Sequence, residues 1–165
     1  MTWARAIATF GYVGLMRPAS GTWGSAAAVP VGLALHLIGG PLLLILATIA
    51  LYPVGLRAVA SLTQGDADPD RSEIVIDEAV GQWIALWPVS LGAWMSGAPI
   101  GALWPGIVVA FFAFRAFDIF KPWPANRYDA RKDAVGVMAD DVFAGLYAAL
   151  AVLVIAAIGH GLLLG

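Results

Sequence analysis

The sequence contains no cysteine. That excludes a thiol nucleophile, a disulfide framework and a thiolate-bound zinc site. Histidine is nearly absent as well. His36 and His160 are the only two, and both lie inside apolar runs far from any acid, where structural roles suit them better than general-base or phosphohistidine chemistry. Charge is scarce: 12% of the 165 residues are charged, against about 25% in a soluble domain. Nor is there an excess of positive charge, since a net charge of −2 and a pI near 5.5 leave no basic surface for nucleic acid. Met1–Gly14 carries one arginine and little hydrophobicity, so it does not read as a cleavable leader. Apolar residues fill the deficit, at 61% of the chain and a mean hydropathy of +0.84. The composition describes a polytopic, membrane-embedded protein.

The apolar runs divide at glycine and proline. Met1–Ser20 is mildly amphipathic, with Trp3, Ile7, Phe10 and Val13 at helical spacing, and is expected to lie in the membrane interface. The charge-free run from Pro18 to Leu56 breaks at Gly39-Gly40-Pro41, a strong turn signal, into helices near Trp23–Ile38 and Pro41–Leu56. Each is close to the lower limit of about 17 residues for a span. A second run, Ala79–Phe114, breaks at Ser96-Gly97-Ala98-Pro99 into helices near Glu78–Met95 and Ile100–Phe117, and a last helix covers Val142–Gly165. The expected fold is all-α, a bundle of about five hydrophobic helices forming a single domain over residues 1–165. Folded up and down, it places every charged side chain on one face, which the positive-inside rule makes cytoplasmic. A four-helix arrangement with Trp23–Ile38 re-entrant is the alternative.

Arg115–Asp141 is a polar island between apolar runs. It holds five of the nine basic residues and five of the eleven acids. Asp118 sits near the end of its helix, where the macrodipole disfavours an anion by up to about 1 kcal/mol, and the chain stops being helical before Pro122. Local pairing with Arg115 or Lys121 would account for it, but a carboxylate at the membrane edge flanked by cations suits a metal ligand better. Asp77-Glu78 and Asp140-Asp141 are adjacent acid pairs, each expected at a helix start on the charged side. One acid there is a cap; two, twice, leave a carboxylate of each pair free for other work. Arg115 and Lys121 fit either snorkelling anchors or holders of a phosphate head group. Gly21-Thr22-Trp23-Gly24-Ser25 reads, on its own, as a capped glycine turn. Asp66-x-Asp68-x-Asp70 resembles the start of a calcium loop, but Arg71 stands where glycine is required, so a solvated loop is expected.

Four stretches together carry a resemblance. They are Gly21-Thr22-x-Gly24-Ser25, Asp77-Glu78-x-Val80-Gly81-x-Trp83-Ile84, Phe114-Arg115-x-x-Asp118-x-x-Lys121-Pro122-Trp123-Pro124 and Gly136-x-Met138-x-Asp140-Asp141-x-x-Ala144-Gly145. In this order and spacing they resemble the phosphatidylglycerophosphatase A family of bacterial membrane phosphatases. The chain departs from the family pattern at Ser20 and at Asp133-Ala134-Val135-Gly136. The resemblance implies an all-helical protein of the bacterial cytoplasmic (inner) membrane, with its active site on the cytoplasmic face. It implies Mg²⁺-dependent hydrolysis of the phospholipid phosphatidylglycerophosphate to phosphatidylglycerol and phosphate. On that basis Glu78, Asp118 and Asp141 are expected to ligate Mg²⁺, with Asp77 and Asp140 behind them or acting as general base. Arg115 and Lys121 would hold the phosphate, Lys121 also assisting catalysis, and the turn with Thr22, Gly24 and Ser25 would close the site. A cation transporter or channel lined by acidic helix ends is the alternative. It needs ionisable groups deep in the spans, and Ala79–Phe114 and Val142–Gly165 contain no charged residue.

The one-sided charge map predicts that cysteines placed at Gly40 and Gly97 are labelled from outside the cell and one near Asp68 only after permeabilisation. External labelling at 68, with the other two protected, would reverse the orientation.

Overall fold

The computed structural model describes residues 3–66 and 71–164, with side chains described through residue 159. Among these residues all regular structure is helical. Helix α1 covers Trp3–Ala8, α2 Ser20–Leu62, α3 Ile76–Ser96, α4 Trp104–Phe120, α5 Ala125–Asp129 and α6 Ala134–Leu164, with 3₁₀ turns at Val13–Leu15 and Ile100–Leu103.

Helix α2 is two arms. Gly39 (φ −145°, ψ 21°) and Gly40 (φ 66°, ψ −163°) leave helical geometry, and only glycine enters the second conformation readily. The first arm runs beside α3 in the same direction. Gly24 faces Val75, the Trp83 indole N–H donates to Ala28 O at 2.8 Å, and His36 Nδ1 lies 2.6 Å from Ser90 Oγ. The second arm returns antiparallel, with Trp87 Nε1–H donating to Thr48 Oγ1 at 3.2 Å and Gly55 against Ile76 and Met138. These indole and imidazole groups find partners on the neighbouring helix, as buried polar groups must. His36 thus has the structural setting expected of it; the side chain of His160 lies outside the described residues.

Large apolar side chains point outward in α6 and small ones inward. Leu146, Leu150, Leu153 and Ile158 are exposed, while Ala144, Gly145, Ala148 and Val152 are buried. That is the arrangement of helices packed in lipid, where close backbone approach replaces the hydrophobic drive. Three helical stretches, Ser20–Leu62, Ile100–Phe120 and Ala134–Gly159, are long and apolar enough to cross a membrane. The protein is an all-helical membrane protein.

Several boundaries differ from the sequence reading. The N-terminal segment is not one amphipathic helix: α1 ends at Ala8, and positive φ at Phe10, Gly11 and Tyr12 turns the chain so that Val75 N–H donates to Ala8 O at 2.9 Å. Phe10 then packs edge-on against Trp83. Helix α2 begins at Ser20 and runs six residues past Leu56. The short α5 was not anticipated. Helix α6 begins at Ala134, not Val142, because Asp133 supplies a cap: its Oδ1 accepts Gly136 N–H at 2.7 Å. Asp140 and Asp141 are therefore in the second turn of α6, not at its start.

The tightest crossing is α3 on α6. A Cβ on Gly145 would lie 2.5 Å from Gly81 O, and one on Gly81 would lie 2.6 Å from Asp141 O. Backbone cannot yield as a side chain does. Gly145→Ala should therefore destabilise the folded protein by roughly 1–3 kcal/mol, read by thermal unfolding in detergent. Gly101→Ala, where nothing lies within 4 Å, should stay near wild type. Equal stability of the two variants would show that the helices slide apart freely.

Candidate active site

Three helices bring their polar ends to one small cavity of about 100 Å³, lined among others by Asp77, Glu78, Asp118, Lys121, Asp140 and Asp141. Helix α3 enters it at its first turn, where both acids suit the helix N-terminus. The two acid pairs are built alike. Asp77 Oδ1 accepts the N–H of Glu78, and Asp140 Oδ1 that of Asp141, each at 3.0 Å. In each pair the first carboxylate folds back onto backbone and the second projects. Asp77, Asp140 and Asp141 are buried and Glu78 is half-buried.

One carboxylate oxygen from each of Asp77, Glu78 and Asp141 falls within 4.8 Å of the others. Glu78 Oε2 is buried with no hydrogen-bond partner. Three converging oxygen donors, with one buried oxygen unpaired and no nitrogen or sulfur ligand among them, fit a hard divalent cation such as Mg²⁺, which takes few protein oxygens and keeps several waters.

The cations flank this cluster. Arg115 Nη1 pairs with Asp118 Oδ2 at 2.6 Å, both side chains largely buried, and reaches Ser25 Oγ at 3.4 Å. Lys121 caps α4 in a left-handed conformation (φ 45°, ψ 62°), a strained choice for a residue with a side chain. Its ammonium lies 2.8 Å from Asp140 Oδ2 and also pairs with Asp129. Burial alone would lower the Lys121 pKa, but the hydrogen bonds from Asp129 and Asp140 outweigh it and hold the value above that of an ordinary lysine. The group stays cationic.

The expected site residues thus fall into two shells. Glu78 and Asp141 come together with Asp77 as the third member; Asp118 lines the same cavity beside its arginine partner; Lys121 and Asp140 form the opposite wall. Arg115 and the turn lie behind. Thr22 is exposed, Gly24 is packed on Val75, and the Ser25 hydroxyl donates to Gly21 O at 2.8 Å. Ser20, which opens α2, lines the cavity instead and donates to Ser72 O. Gly21 has a site-specific reason to lack a side chain, since a Cβ there would press on the Glu78 carboxylate and sit 3.2 Å from Arg115 Nη1. In the supposed calcium loop, Asp66 pairs with Arg71 at 2.6 Å, while Asp68 and Asp70 lie outside the described residues.

Sequence reasoning missed Asp129, which shares Lys121, and Gln82. The latter is fully buried one turn beyond Glu78, and neither its amide oxygen nor its nitrogen has a hydrogen-bond partner. The signal was available: it is the only amide side chain between Ala79 and Phe114.

Carboxylates fit for a hard cation thus stand beside a fixed ammonium at the polar end of an apolar helical bundle. The comparisons with known proteins name the family. The family model described as phosphatidylglycerophosphatase A matches residues 6–156. The chain is 35% identical over 144 residues to a Haemophilus influenzae protein named phosphatidylglycerophosphatase A, covering 86% of this chain and 82% of that one. It is 28% identical over 137 residues to the Escherichia coli K12 protein of the same name, covering 82% and 73%. A Bacteroides thetaiotaomicron protein, named provisionally as a phosphatidylinositol-3-phosphatase, is 44% identical over 79 residues, covering 47% of this chain and 44% of that one. No solved structure matches significantly. The chain belongs to the phosphatidylglycerophosphatase A family, and so to the phosphoric monoester hydrolases.

An unpaired buried amide costs roughly 1–3 kcal/mol. Gln82→Met, which keeps the volume and removes both unpaired atoms, should therefore unfold at the same or a higher temperature than wild type. A marked loss of stability would mean that the amide has partners in the working protein.

Proposed function

We propose that the protein hydrolyses the terminal phosphomonoester of phosphatidylglycerophosphate, giving phosphatidylglycerol and phosphate for phospholipid biosynthesis. The observation that carries this reading is the convergence of Asp77, Glu78 and Asp141, with a buried Glu78 oxygen left unpaired. The substrate is taken from the names of the Haemophilus influenzae and Escherichia coli relatives. Asp77, Glu78 and Asp141 would hold Mg²⁺, with Asp118 beside them under the control of Arg115. A bound Mg²⁺ supplies charge stabilisation at the phosphoryl oxygens and favours deprotonation of the attacking water.

The protein's own groups do the rest. Lys121, kept cationic by Asp129 and Asp140, faces the negative charge of the phosphate. Asp140, buried and tied to Lys121, is the base that takes the proton from water as its oxygen bonds to phosphorus. The phosphorus–oxygen bond to the glycerol then breaks, and the leaving oxygen takes the proton that Asp140 received, which restores the carboxylate. Arg115 orients Asp118 from behind. No cysteine is available as a nucleophile.

The same reading places the protein in the bacterial cytoplasmic membrane with five crossings and the site on the cytoplasmic face. The two arms of α2, with α3, α4 and α6, are the five helices. Support comes from the reversal at Gly39–Gly40 and from Gly40 lying near Trp94, at the end of α3 away from Asp77 and Glu78. The transporter alternative is disfavoured because the bundle beneath the cavity is filled by Ile84, Leu86, Val89 and Phe114.

Purified protein should release phosphate from phosphatidylglycerophosphate with Mg²⁺ and stop in EDTA. Asp118→Asn, Glu78→Gln and Asp141→Asn should fold and lose roughly a hundredfold or more in turnover, one factor of ten per ~1.4 kcal/mol, while Asp66→Asn stays near wild type. Mg²⁺ should also raise the unfolding temperature of wild type but not of Asp141→Asn. Full activity in chelator would remove the metal from the mechanism, and a fully active Asp118→Asn would leave its pairing with Arg115 as a purely structural one.

A further inference from the structure

A second cavity, of about 490 Å³, lies between the returning arm of α2, α3, α5 and α6. Its walls are apolar and aromatic, with Tyr52, Ile84, Trp87, Tyr128, Val142 and Phe143 among them. Two of its polar groups are already bonded: the Trp87 indole N–H donates to Thr48 Oγ1, whose own hydroxyl donates to Leu44 O at 2.7 Å. Tyr128 and Phe143 stack with ring centroids 5.1 Å apart and form one wall. Ile49, on the rim, is exposed, so the cavity opens on the outer side of the bundle.

This groove adjoins the polar site along three elements. On α3, Asp77 lines the polar cavity and Val80, one turn on, lines the apolar one. On α5 the neighbours Asp129 and Tyr128 divide in the same way, and on α6 so do Asp140 and Ala139. Arg131 lines the polar cavity and lies near both Tyr52 and Tyr128 of the groove. The volume of the groove is that of a small-molecule site, and its mostly apolar lining suits an apolar occupant.

Building on the function proposed above, we propose that the groove holds an acyl chain of the same phospholipid whose phosphate occupies the carboxylate cavity. The glycerol backbone of that lipid passes between Arg131 and the two tyrosines. The enzyme then takes its substrate with the head group bent into the polar cavity and one chain held by protein, not by the surrounding bilayer. Chain length and unsaturation become determinants of specificity, set by Ile84, Trp87 and Val142.

The experiment fills the groove and reads a ratio. Val142→Trp and Ile84→Trp would be compared with Leu150→Trp, an exposed position on α6 outside the groove. Each is assayed on dioleoyl and dihexanoyl phosphatidylglycerophosphate in the same detergent. The ratio of kcat/KM for the long over the short substrate should fall tenfold or more in the two groove variants and stay at the wild-type value in Leu150→Trp. In case the groove variants fail to fold, wild-type protein is also photolabelled with phosphatidylglycerophosphate bearing a diazirine in one acyl chain. Labels should map to α3, α6 and the second arm of α2, and excess unlabelled phosphatidylglycerophosphate, but not phosphatidylcholine, should suppress them. Unchanged ratios in folded variants, or equal suppression by phosphatidylcholine, would overturn the assignment and leave the groove to bulk lipid. If wild type hydrolyses neither substrate, the proposed function itself fails, and the groove assignment with it.

Discussion

The crossing of α3 and α6 is backbone against backbone, with no room for a Cβ on Gly81 or Gly145. Glu78 stands one turn before Gly81, and Asp141 one turn before Gly145. The contact that joins the helices therefore also sets the distance between their carboxylates. Carboxylates held within 4.8 Å of one another repel when ionised, by about 3 kcal/mol or more per pair at an effective dielectric near 20. On the proposed function, a shared cation would remove that repulsion and tie α3 to α6. Fold stability and metal binding would then be linked through the same glycines, since any ligand of the folded state alone stabilises it.

Around this junction the polar end is laced rather than packed. Arg5 pairs with Glu73 at 2.9 Å and Arg71 with Asp66 at 2.6 Å, while Ser20 bonds to the carbonyl of Ser72. Exposed ion pairs of this kind are each worth little, about 0–1 kcal/mol. Their effect is geometric: they hold α1 and the segment before α3 against the start of α2. That leaves Val75 N–H on Ala8 O and gives the first turn of α3 a fixed position. The carboxylates of Asp77 and Glu78 inherit that position. Loops tied at several points can present a site as firmly as a helix does.

The breaks at Gly39–Gly40 and Ser96–Pro99 were legible because glycine and proline act through local sterics, which a sequence displays directly. The acid pairs were legible because carboxylates are conspicuous in so apolar a chain. What stayed hidden depends on tertiary contact. Val142 looked like a helix start because charge precedes it, yet Asp133 caps a helix eight residues earlier, and a single aspartate in a polar loop does not announce which backbone it will meet. Ser20 in the cavity and Thr22 outside it differ by half a turn of α2, a phase set by Ala19 in a left-handed conformation. That Asp77 converges with Glu78 and Asp141 comes from helix rotation that spacing alone leaves undetermined.

The cavity's own charge bears on the order of events. Six acids and three bases line it, so acids outnumber bases by three. A phosphate monoester carries up to two further negative charges into that field. Lys121 alone does not reverse it, because Asp129 and Asp140 already claim its ammonium. Arg115 is in the same position, held by Asp118. On the proposed function, such a cavity would disfavour a free phosphate and favour a divalent cation. A cation held among Asp77, Glu78 and Asp141 would weaken the local negative field, so that Lys121 could face an incoming oxyanion. The acids that would repel the phosphate are the ones that would hold the cation, and the order that follows is cation first, phosphate second.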